Sequence, residues 1–427
     1  MKSIDATGGF AALKHRDFSL YVSGRFFSSL AAQMIIVAVG WQVYQITGRV
    51  LDLGLIGLSQ FLPFLCFSLP AGYVADRYER GLVISLCLSA LLIAALLLLY
   101  FAVSGIRSTL PIFAVLALLG IARAFQSPAA QSFVPNMVPP ASLSNAIALN
   151  SSLFQVATIA GPSIGGIIYA LGRSPAGING GAQRVYGASV ALLLLSVALM
   201  LSVKRRPAPP ARSAVSWTSM LDGLHFVWRR KAVLGAISLD LFAVLFGGAT
   251  ALLPAFTHEV LHAGPDVFGY LRAAPGVGAA LCALWLAFRP VTRGVGVHMF
   301  GGVAIFGVSV VAFGLTRHFW MAMIALVCLG AGDMVSVFIR NLLVQLETPD
   351  AIRGRVSAVN SVFIGASNEL GEFESGFTAA WFGLVPAIVS GGVVTLVVAG
   401  LWAGVLFPRL WRLQTFDQLK DIHSNAT

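Results

Sequence analysis

Long apolar segments recur twelve times along the chain, and short polar stretches separate them. A helix needs roughly 20 mostly apolar residues to cross the hydrocarbon core of a bilayer. Membrane β-strands would instead show segments of alternating apolar and polar residues, and this chain shows no such segments. The pattern therefore predicts an all-α integral membrane protein with twelve spans, at residues 18–45, 52–75, 82–104, 109–131, 143–171, 185–203, 232–257, 266–288, 296–315, 318–344, 355–381 and 384–407.

The composition indicates that these segments face lipid. Hydrophobic residues make up 57% of the 427 residues, and charged residues only 11%. A soluble domain carries about 25% charged residues, because its surface is wet. All four cysteines lie within the apolar segments, where a thiol packs as a small hydrophobic group. Neither a disulfide nor a metal site is predicted from them.

The basic residues are distributed unevenly between the two sides of the predicted membrane. Of the 28 lysines and arginines, 19 lie in the termini and in the loops of one side, 5 on the other side and 4 within spans. Cytoplasmic segments are enriched in Lys and Arg, so we expect both termini in the cytoplasm. Topology thus accounts for the net charge of +11, and no nucleic-acid partner is predicted.

A polar, proline-rich segment divides the chain near its middle. Residues 204–210 read Lys-Arg-Arg-Pro-Ala-Pro-Pro, and apolar residues at helical spacing follow from Trp217 to Trp228. That spacing is typical of an amphipathic helix lying on a membrane surface. We predict a six-helix bundle, a cytoplasmic linker with this helix, and a second six-helix bundle with a short tail, over residues 1–203, 204–231 and 232–427.

The two predicted bundles resemble each other in sequence. Residues 119–123 (Leu-Gly-Ile-Ala-Arg) match residues 329–333 (Leu-Gly-Ala-Gly-Asp) at an offset of 210. Parallel repeats predict two pseudo-symmetric bundles with a substrate site between them near the bilayer midplane. Further pairs at this offset or at 212 are Pro139 with Pro349, Ala141 with Ala351, Asn150 with Asn360, Gly161 with Gly371, Gly57 with Gly269 and Pro63 with Pro275.

The loop after span two has the spacing G-x-x-x-D-R-x-x-R, which is a signature of the major facilitator superfamily. Its positions are Gly72, Asp76, Arg77 and Arg80. An Asp here can cap the positive end of a neighbouring helix, so the resemblance implies a cytoplasmic gate latch. The alternative is an ordinary cytoplasmic turn. The chain has Glu79 where the commonest pattern has glycine, which would weaken the latch.

Span five carries a second motif, Gly161-Pro162-Ser163-Ile164-Gly165-Gly166. It resembles the G-P-x-x-G-G motif that is typical of exporters in this superfamily. Its glycines allow close helix contact, and its proline frees a backbone carbonyl and bends the helix. The alternative interpretation is plain helix packing.

Longer stretches are similar to the drug:proton antiporter branch, which includes the enterobactin exporter and macrolide efflux proteins. They begin at Trp41, Pro128 and Gln345. The resemblance covers residues 10–410 and implies a major facilitator fold in a bacterial inner membrane. It also implies export of a small amphipathic molecule in exchange for protons, and we expect a monomer.

Ionisable residues within spans are costly, by roughly 2.5–3.5 kcal/mol each, and are candidates for function. Arg25 lies in span one, where a structural contact is the alternative. Arg123 and Asp333 occupy equivalent repeat positions, and in the family fold their helices line the central cavity, so we expect them to face each other there. Asp333 shares a helix face with Arg340, and a local contact between those two is the alternative.

Span eleven carries Glu369, Glu372 and Glu374, with no Lys or Arg among them. Crowded, desolvated carboxylates bind and release protons near neutral pH, which proton coupling requires. We favour Glu372 or Glu369 as the proton carrier and keep Asp240 in span seven as a further candidate. The alternative is that these carboxylates form fixed ion pairs with arginines within the spans.

The sequence thus favours a secondary transporter that exports small amphipathic molecules by alternating access and proton antiport. Uptake, or movement of lipids or lysolipids, by the same fold is the alternative. An enzyme is not predicted, because the chain has no histidine-rich span, no H-E-x-x-H motif and no phosphate-binding loop. We expect no cofactor and no metal, and interpret His258 and His262 as part of a polar rim.

Overall fold

The computed structural model describes residues 11–139, 142–172, 179–204, 224–349 and 352–418. These residues are mainly helical and contain no β-strand, which confirms the predicted all-α fold. The long helices of the first half are α1 Arg16–Thr47, α2 Val50–Arg77, α3 Arg80–Val103, α4 Leu110–Phe133, α5 Leu143–Leu171 and α6 Gly180–Leu201. Those of the second half are α7 Lys231–Phe246, α8 Pro265–Phe288, α9 Val295–Leu315, α10 Phe319–Glu347, α11 Arg353–Phe382 and α12 Leu384–Leu401.

Eleven helices in the described part of the chain are long and apolar enough to cross a membrane. In this count the seventh helix runs from Lys231 to Glu259. The remaining long helix, α11, has 30 residues and is long enough, but it is not apolar enough. It is the predicted span that carries the three glutamates. These charges lower the hydropathy of α11, so α11 is better suited to neighbouring helices than to lipid.

The span predicted over residues 232–257 is confirmed, but its helix is interrupted. After α7 ends at Phe246, a 3₁₀ turn covers Ala249–Leu252 and a separate short helix covers Leu253–Glu259. The break falls at Gly247-Gly248, where a Cβ on Gly248 would lie 2.5 Å from the carbonyl oxygen of Gly371 on α11. Glycine permits this close approach but favours a helix less than other residues do, so α7 ends here.

Helix α6 begins at Gly180, five residues before the predicted start of its span at residue 185. Two polar side chains on its first turns satisfy backbone carbonyls at the ends of other helices. Gln183 donates to the oxygen of Ala102 at 3.0 Å, and Arg184 donates to the oxygen of Leu171 at 2.7 Å. These bonds to carbonyls at helix ends explain how polar residues are accommodated in the helix.

The described residues form two compact units. The first comprises those within 1–48, 59–214 and 264–273, and the second those within 49–58, 215–263 and 274–427. Helices α2 and α8 are therefore each divided between the units. The beginning of α2 belongs to the second unit and its remainder to the first, whereas the beginning of α8 belongs to the first unit and its remainder to the second. The domain boundaries predicted from sequence assign each of these helices to one bundle, and they stay a prediction.

In the first unit, α1 packs against both α5 and α6. A buried polar network joins α1 to α6: Tyr186 donates to Gln42 at 2.7 Å, and Gln42 donates to Asn179 at 3.2 Å. Tyr186 is fully buried and Gln42 is 1% exposed. Interhelical hydrogen bonds of this kind stabilise membrane bundles when all their members are satisfied.

We expect Tyr186→Phe to destabilise the protein, by about 1–3 kcal/mol, because it leaves a buried amide oxygen of Gln42 without its donor. The matched control is Tyr169→Phe, since Tyr169 donates at 2.8 Å to Gln45, which is exposed and can bond to water instead. Thermal unfolding of the detergent-solubilised variants measures both effects. Equal unfolding temperatures for the two variants would contradict the prediction.

The second unit is built around α9, α10, α11 and α12, with α7 packed against α11 and α12. Its apolar core includes Ile237 of α7, Leu343 of α10 and Val359 of α11, all nearly inaccessible to solvent. Residues 224–229 are helical, with Leu224 and Trp228 exposed as an amphipathic surface helix requires. The rest of the predicted linker, residues 205–223, lies outside the described residues.

Candidate functional site

The glycine-proline motif of α5 is a contact surface for α1. A Cβ on Gly161 would lie 3.2 Å from the oxygen of Leu30, and one on Gly165 would lie 3.0 Å from the Cα of Met34. Both distances are shorter than ordinary van der Waals contact, so only glycine allows α1 and α5 to approach this closely.

The last glycine of the motif packs against a different helix. A Cβ on Gly166 would lie 2.9 Å from the Cα of Gly269 on α8, and one on Gly269 would lie 2.5 Å from the oxygen of Pro162. The motif therefore makes two contacts within the first unit, one with α1 and one with the beginning of α8. The bend that the sequence predicts at Pro162 stays a prediction.

In the second unit, α11 makes the contacts that α5 makes in the first. A Cβ on Gly371, the repeat partner of Gly161, would lie 2.8 Å from the oxygen of Val244 on α7. A Cβ on Gly376 would lie 2.7 Å from the Cα of Gly54 on α2. The fifth helix of each repeat thus crosses the first helix of its own repeat and the beginning of the second helix of the other repeat.

Glu372 lies at the crossing of α11 with α2. A Cβ on Gly57 would lie 2.8 Å from Oε2 of Glu372 and 3.0 Å from its Cβ. At the offset of 210, Glu372 corresponds to Pro162, and Gly57 corresponds to Gly269 at the offset of 212. The two crossings are therefore equivalent in position, but only the crossing of the second unit has a carboxylate at this position.

The other two glutamates of α11 lie in different surroundings. Glu369 is 9% exposed and is the most buried of the three, whereas Glu372 and Glu374 are half-buried. Glu374 accepts a hydrogen bond from the hydroxyl of Thr378, one turn further on, at 2.7 Å. Glu374 is thus hydrogen-bonded within its own helix, while Glu369 and Glu372 lie towards the packed side of the helix.

A buried ion pair joins α7 and α10. Arg340 Nη1 contacts Asp240 Oδ2, and the two residues are 2% and 5% exposed. Arg340 thus pairs with another helix rather than along α10 with Asp333, the local contact that the sequence left open. Asp240, a candidate proton carrier from the sequence, has its charge balanced by this guanidinium.

Asp333 and Arg123 occupy equivalent positions on α10 and α4, in different units. Asp333 is half-buried, and Arg123 is exposed with its guanidinium 5.2 Å from the centre of the Phe64 ring. Stacking of a guanidinium on an aromatic ring stabilises the cation. Their predicted approach to each other across a cavity stays a prediction.

Arg25 is partly buried on α1 within the first unit. Its Nη1 donates to the hydroxyl of Tyr21 at 3.2 Å, and its guanidinium lies 6.0 Å from the ring centre of Phe154. The structure therefore gives Arg25 local partners on α1 and α5, which fits the structural contact that was the alternative for this residue.

The sequence did not single out Asp52, which is only 6% exposed in the second unit. It lies in the first turn of α2, next to the crossing with α11. The predicted span begins at residue 52, so the sequence places this carboxylate at the edge of the span, where a charge is ordinary. The helix begins two residues earlier, at Val50.

The loop motif after α2 is described only in part. Arg77 is exposed, donates to the hydroxyl of Tyr73 and stacks on the ring of that residue at 5.6 Å. A Cβ on Gly72 would have no neighbour within 4 Å, and Arg80 begins α3. The side chain of Asp76 lies outside the described part, so the predicted latch stays a prediction.

Comparison with known proteins identifies the family of this chain. A family model described as transmembrane secretion effector matches residues 7–426. The chain is 28% identical over 395 residues to the multidrug efflux pump Tap of Mycolicibacterium fortuitum, with 88% of this chain and 92% of the relative covered. It is 24% identical over 417 residues to the enterobactin exporter EntS of Shigella boydii serotype 18, with 91% and 93% covered.

Among solved structures, the chain resembles a bacterial homologue of the human lysosomal transporter Spinster in an inward-facing, occupied conformation. The TM-score is 0.72 with 16% identity, covering 93% of this chain and 98% of the other. Fold and matches together define the class: the protein is a membrane transporter of the major facilitator superfamily, not an enzyme. Within that superfamily, the chain belongs to the transmembrane secretion effector family. The predicted resemblance to the branch of the enterobactin exporter is thereby confirmed.

Proposed function

We propose that this transporter exports small amphipathic molecules by alternating access, driven by protons that move inward. The observation that carries this proposal is the pair of carboxylates on the packed side of α11, Glu369 and Glu372. No Lys or Arg occurs on α11 after Arg355. A carboxylate at membrane depth is costly when charged and much less costly when protonated.

The ion pair of the second unit supports this choice of carrier. Asp240 stays ionised beside Arg340, because removing the charge of either partner would leave the other charge buried and uncompensated. The α11 carboxylates and Asp333 are therefore the groups that would bind and release the proton. The efflux and siderophore-export functions named for the two relatives favour export of a small amphipathic cargo.

Proton coupling is expected to shift the balance between two arrangements of the protein. A proton or a substrate can shift this balance only as far as it binds one arrangement more tightly than the other. Exchange results when the protonated form favours one arrangement and the deprotonated, substrate-loaded form favours the other. With both termini in the cytoplasm, as the basic residues indicate, inward proton flow would drive the cargo outward.

Liposomes that contain a pH-sensitive dye test the proposal. A proton gradient is imposed, amphipathic compounds are added one at a time, and substrate-dependent proton flux is recorded for the wild type and for Glu369→Gln, Glu372→Gln and Asp333→Asn. We expect one compound to evoke flux in the wild type and at least one variant to lose that flux while it still binds the compound.

The matched control is Glu374→Gln, because Thr378 can donate to the amide oxygen as it does to the carboxylate. We expect this variant to couple normally. If the cargo moves without proton flux, proton antiport is wrong. If all three test variants couple like the wild type, these carboxylates are structural and do not carry the proton. Cargo or lipid accumulation in the opposite direction would instead favour uptake or lipid movement.

A further inference from the structure

We infer that one end of the second unit binds the headgroups of anionic phospholipids. Three segments form the surface there: residues 224–231 before and at the start of α7, the loop 289–293 between α8 and α9, and residues 408–414 after α12. We call it the basic surface. The inference does not rest on proton coupling, and it gives the lipid the role of a bound partner rather than of cargo.

The three segments are held together by one apolar core. Val227, Val291 and Leu410, one from each segment, are at most 7% exposed and belong to the same hydrophobic cluster. The amide of Gly296, at the start of α9, donates to the carbonyl oxygen of Leu413 at 2.9 Å. Segments that are far apart in the sequence therefore lie at the same end of the unit, and their remaining side chains form one surface.

The exposed side chains of the basic surface include six cations. The first segment has three basic residues, the second two and the third two, and none contains Asp or Glu, so their formal charge is +7. Arg230 is 34% exposed and lies 3.8 Å from Glu347 of α10. The next acid along the chain, Asp417, has its side chain outside the described residues. The six exposed cations, which an anion can reach from outside, are Arg229, Lys231, Arg289, Arg293, Arg409 and Arg412.

Exposed aromatic rings lie within and beside these segments. Trp228 is 69% exposed and Trp411 38%, and Phe288, at the end of α8, is 79% exposed. Trp at the end of a membrane span lies at the level of the lipid headgroups. The anion available to a cation at that depth is the headgroup phosphate, which an arginine guanidinium can bind through two hydrogen bonds. The combination of cations and rings therefore fits an anionic lipid surface better than an acidic soluble protein.

The corresponding loops of the first unit differ in charge. There Asp17 follows Arg16 directly, and Glu79 lies between Arg77 and Arg80. A carboxylate next to a cation offsets its charge and repels anionic headgroups, so these loops should attract anionic lipid less. The repeat thus provides a comparison within the same protein and the same bilayer.

The expected topology places the basic surface beside an anionic leaflet. The distribution of basic residues indicates that α7 begins and α12 ends on the cytoplasmic side. The cytoplasmic leaflet carries anionic lipids, and each Lys or Arg close to it adds to the attraction. Because Val227 anchors the surface helix to the core, lipid bound at its cations would hold residues 224–229 against the membrane.

Photo-crosslinking of the full-length protein in phosphatidylcholine vesicles tests the inference without a known substrate. The vesicles contain a small amount of photoreactive phosphatidylglycerol or, in parallel, of photoreactive phosphatidylcholine, and the labelled peptides are identified by mass spectrometry. We expect the anionic lipid to label the three segments at least about fivefold more than the neutral lipid, the factor that one basic residue near a membrane contributes. Raising the salt concentration from about 0.05 to about 0.5 M should reduce this preference, because salt screens the charges.

In Arg293→Gln/Arg412→Gln, we expect the two lipids to label the second and third segments almost equally. Both arginines are exposed and lie close to the hydrogen bond between the start of α9 and the third segment. Arg293→Lys/Arg412→Lys keeps both charges and should keep most of the preference, which separates loss of charge from altered structure. The matched control, Lys14→Gln/Arg16→Gln, removes two exposed charges from the first unit and should keep the wild-type preference.

The inference is wrong if the two lipids label the three segments equally in the wild type, or if the glutamine variant keeps the preference. It is also wrong if the lysine variant loses as much preference as the glutamine variant, because charge would then not be what binds the lipid. An equal preference at the loops of the first unit would show that any basic loop suffices. If inorganic phosphate abolishes the preference and chloride of the same ionic strength does not, the surface binds a free anion instead of a headgroup.

Discussion

Asp240→Asn is expected to destabilise the transporter by about 3–5 kcal/mol, because it leaves the charge of Arg340 buried without its partner. Arg340 is 2% exposed and lies in the apolar core of the second unit, so its guanidinium cannot reach bulk water. Arg340→Gln should cost a similar amount through the buried carboxylate. The temperature at which half of the solubilised protein remains monodisperse measures both effects.

The double variant Asp240→Asn/Arg340→Gln is expected to recover most of this loss. With both charges removed, no ion stays uncompensated; Asn matches Asp in volume, and Gln is a shorter neutral side chain in the place of Arg. Recovery in the double variant shows that the single variants suffer from an isolated charge. If the double variant is as unstable as the sum of the single variants, the pair is not the unit that determines stability.

The same two helices provide a matched control at their ends. Arg230, just before α7, lies 3.8 Å from Glu347 at the end of α10; the Arg230 side chain is 34% exposed and the Glu347 side chain 5%. Water reaches the guanidinium, so removing the charge of Glu347 leaves a cation that is still hydrated, unlike Arg340. Glu347→Gln should therefore change the unfolding temperature much less than Asp240→Asn does.

Gly166→Ala is expected to have the second-largest effect, about 1–3 kcal/mol of destabilisation together with loss of transport. The new methyl group would lie 2.5 Å from the oxygen of Pro265 and 2.9 Å from the Cα of Gly269. Both neighbours are backbone atoms, so the overlap is relieved only if α8 moves away from α5. Unfolding temperature and transport in liposomes check the two parts of this prediction.

Gly187→Ala on α6 is the control for this substitution. A Cβ on Gly187 has nothing within 4 Å, so the methyl group is accommodated without displacement. Replacing glycine in a helix by alanine stabilises the helix by about 1 kcal/mol or less. The argument from close contact fails if Gly166→Ala and Gly187→Ala behave alike.

Much of the fold could be predicted because its signals are local. A span of apolar residues must be helical in lipid, since no water is available for its backbone groups, and this rule located all the long helices. The seventh span was predicted, but the interruption of its helix at Gly247-Gly248, where Gly248 contacts Gly371, is not visible in local hydropathy. The prediction failed at the start of α6, where Arg184 bonds to the end of a distant helix.

The candidate site could be predicted less completely, because a charge in a span shows that it needs a partner but not which one. Helical spacing groups Arg340 with Asp333, yet Arg340 pairs with Asp240, a hundred residues away in the sequence. Asp52 was overlooked because its span is predicted to start there. The glutamates of α11 were found, since three carboxylates in one apolar segment are visible without any structure.

The sequence by itself determined the class of protein, the number of helices, the internal repeat and the set of ionisable residues within the membrane. The class of protein follows from the resemblance of its motifs to a known family, and the other features follow from apolar periodicity and recurring residues along the chain. Only the tertiary structure decided that Arg340 meets Asp240, that the α5 motif contacts both α1 and α8, and that Glu372 lies against Gly57. The physical reason is that such contacts depend on how each helix is rotated and where it crosses its neighbours, which close packing of distant segments determines.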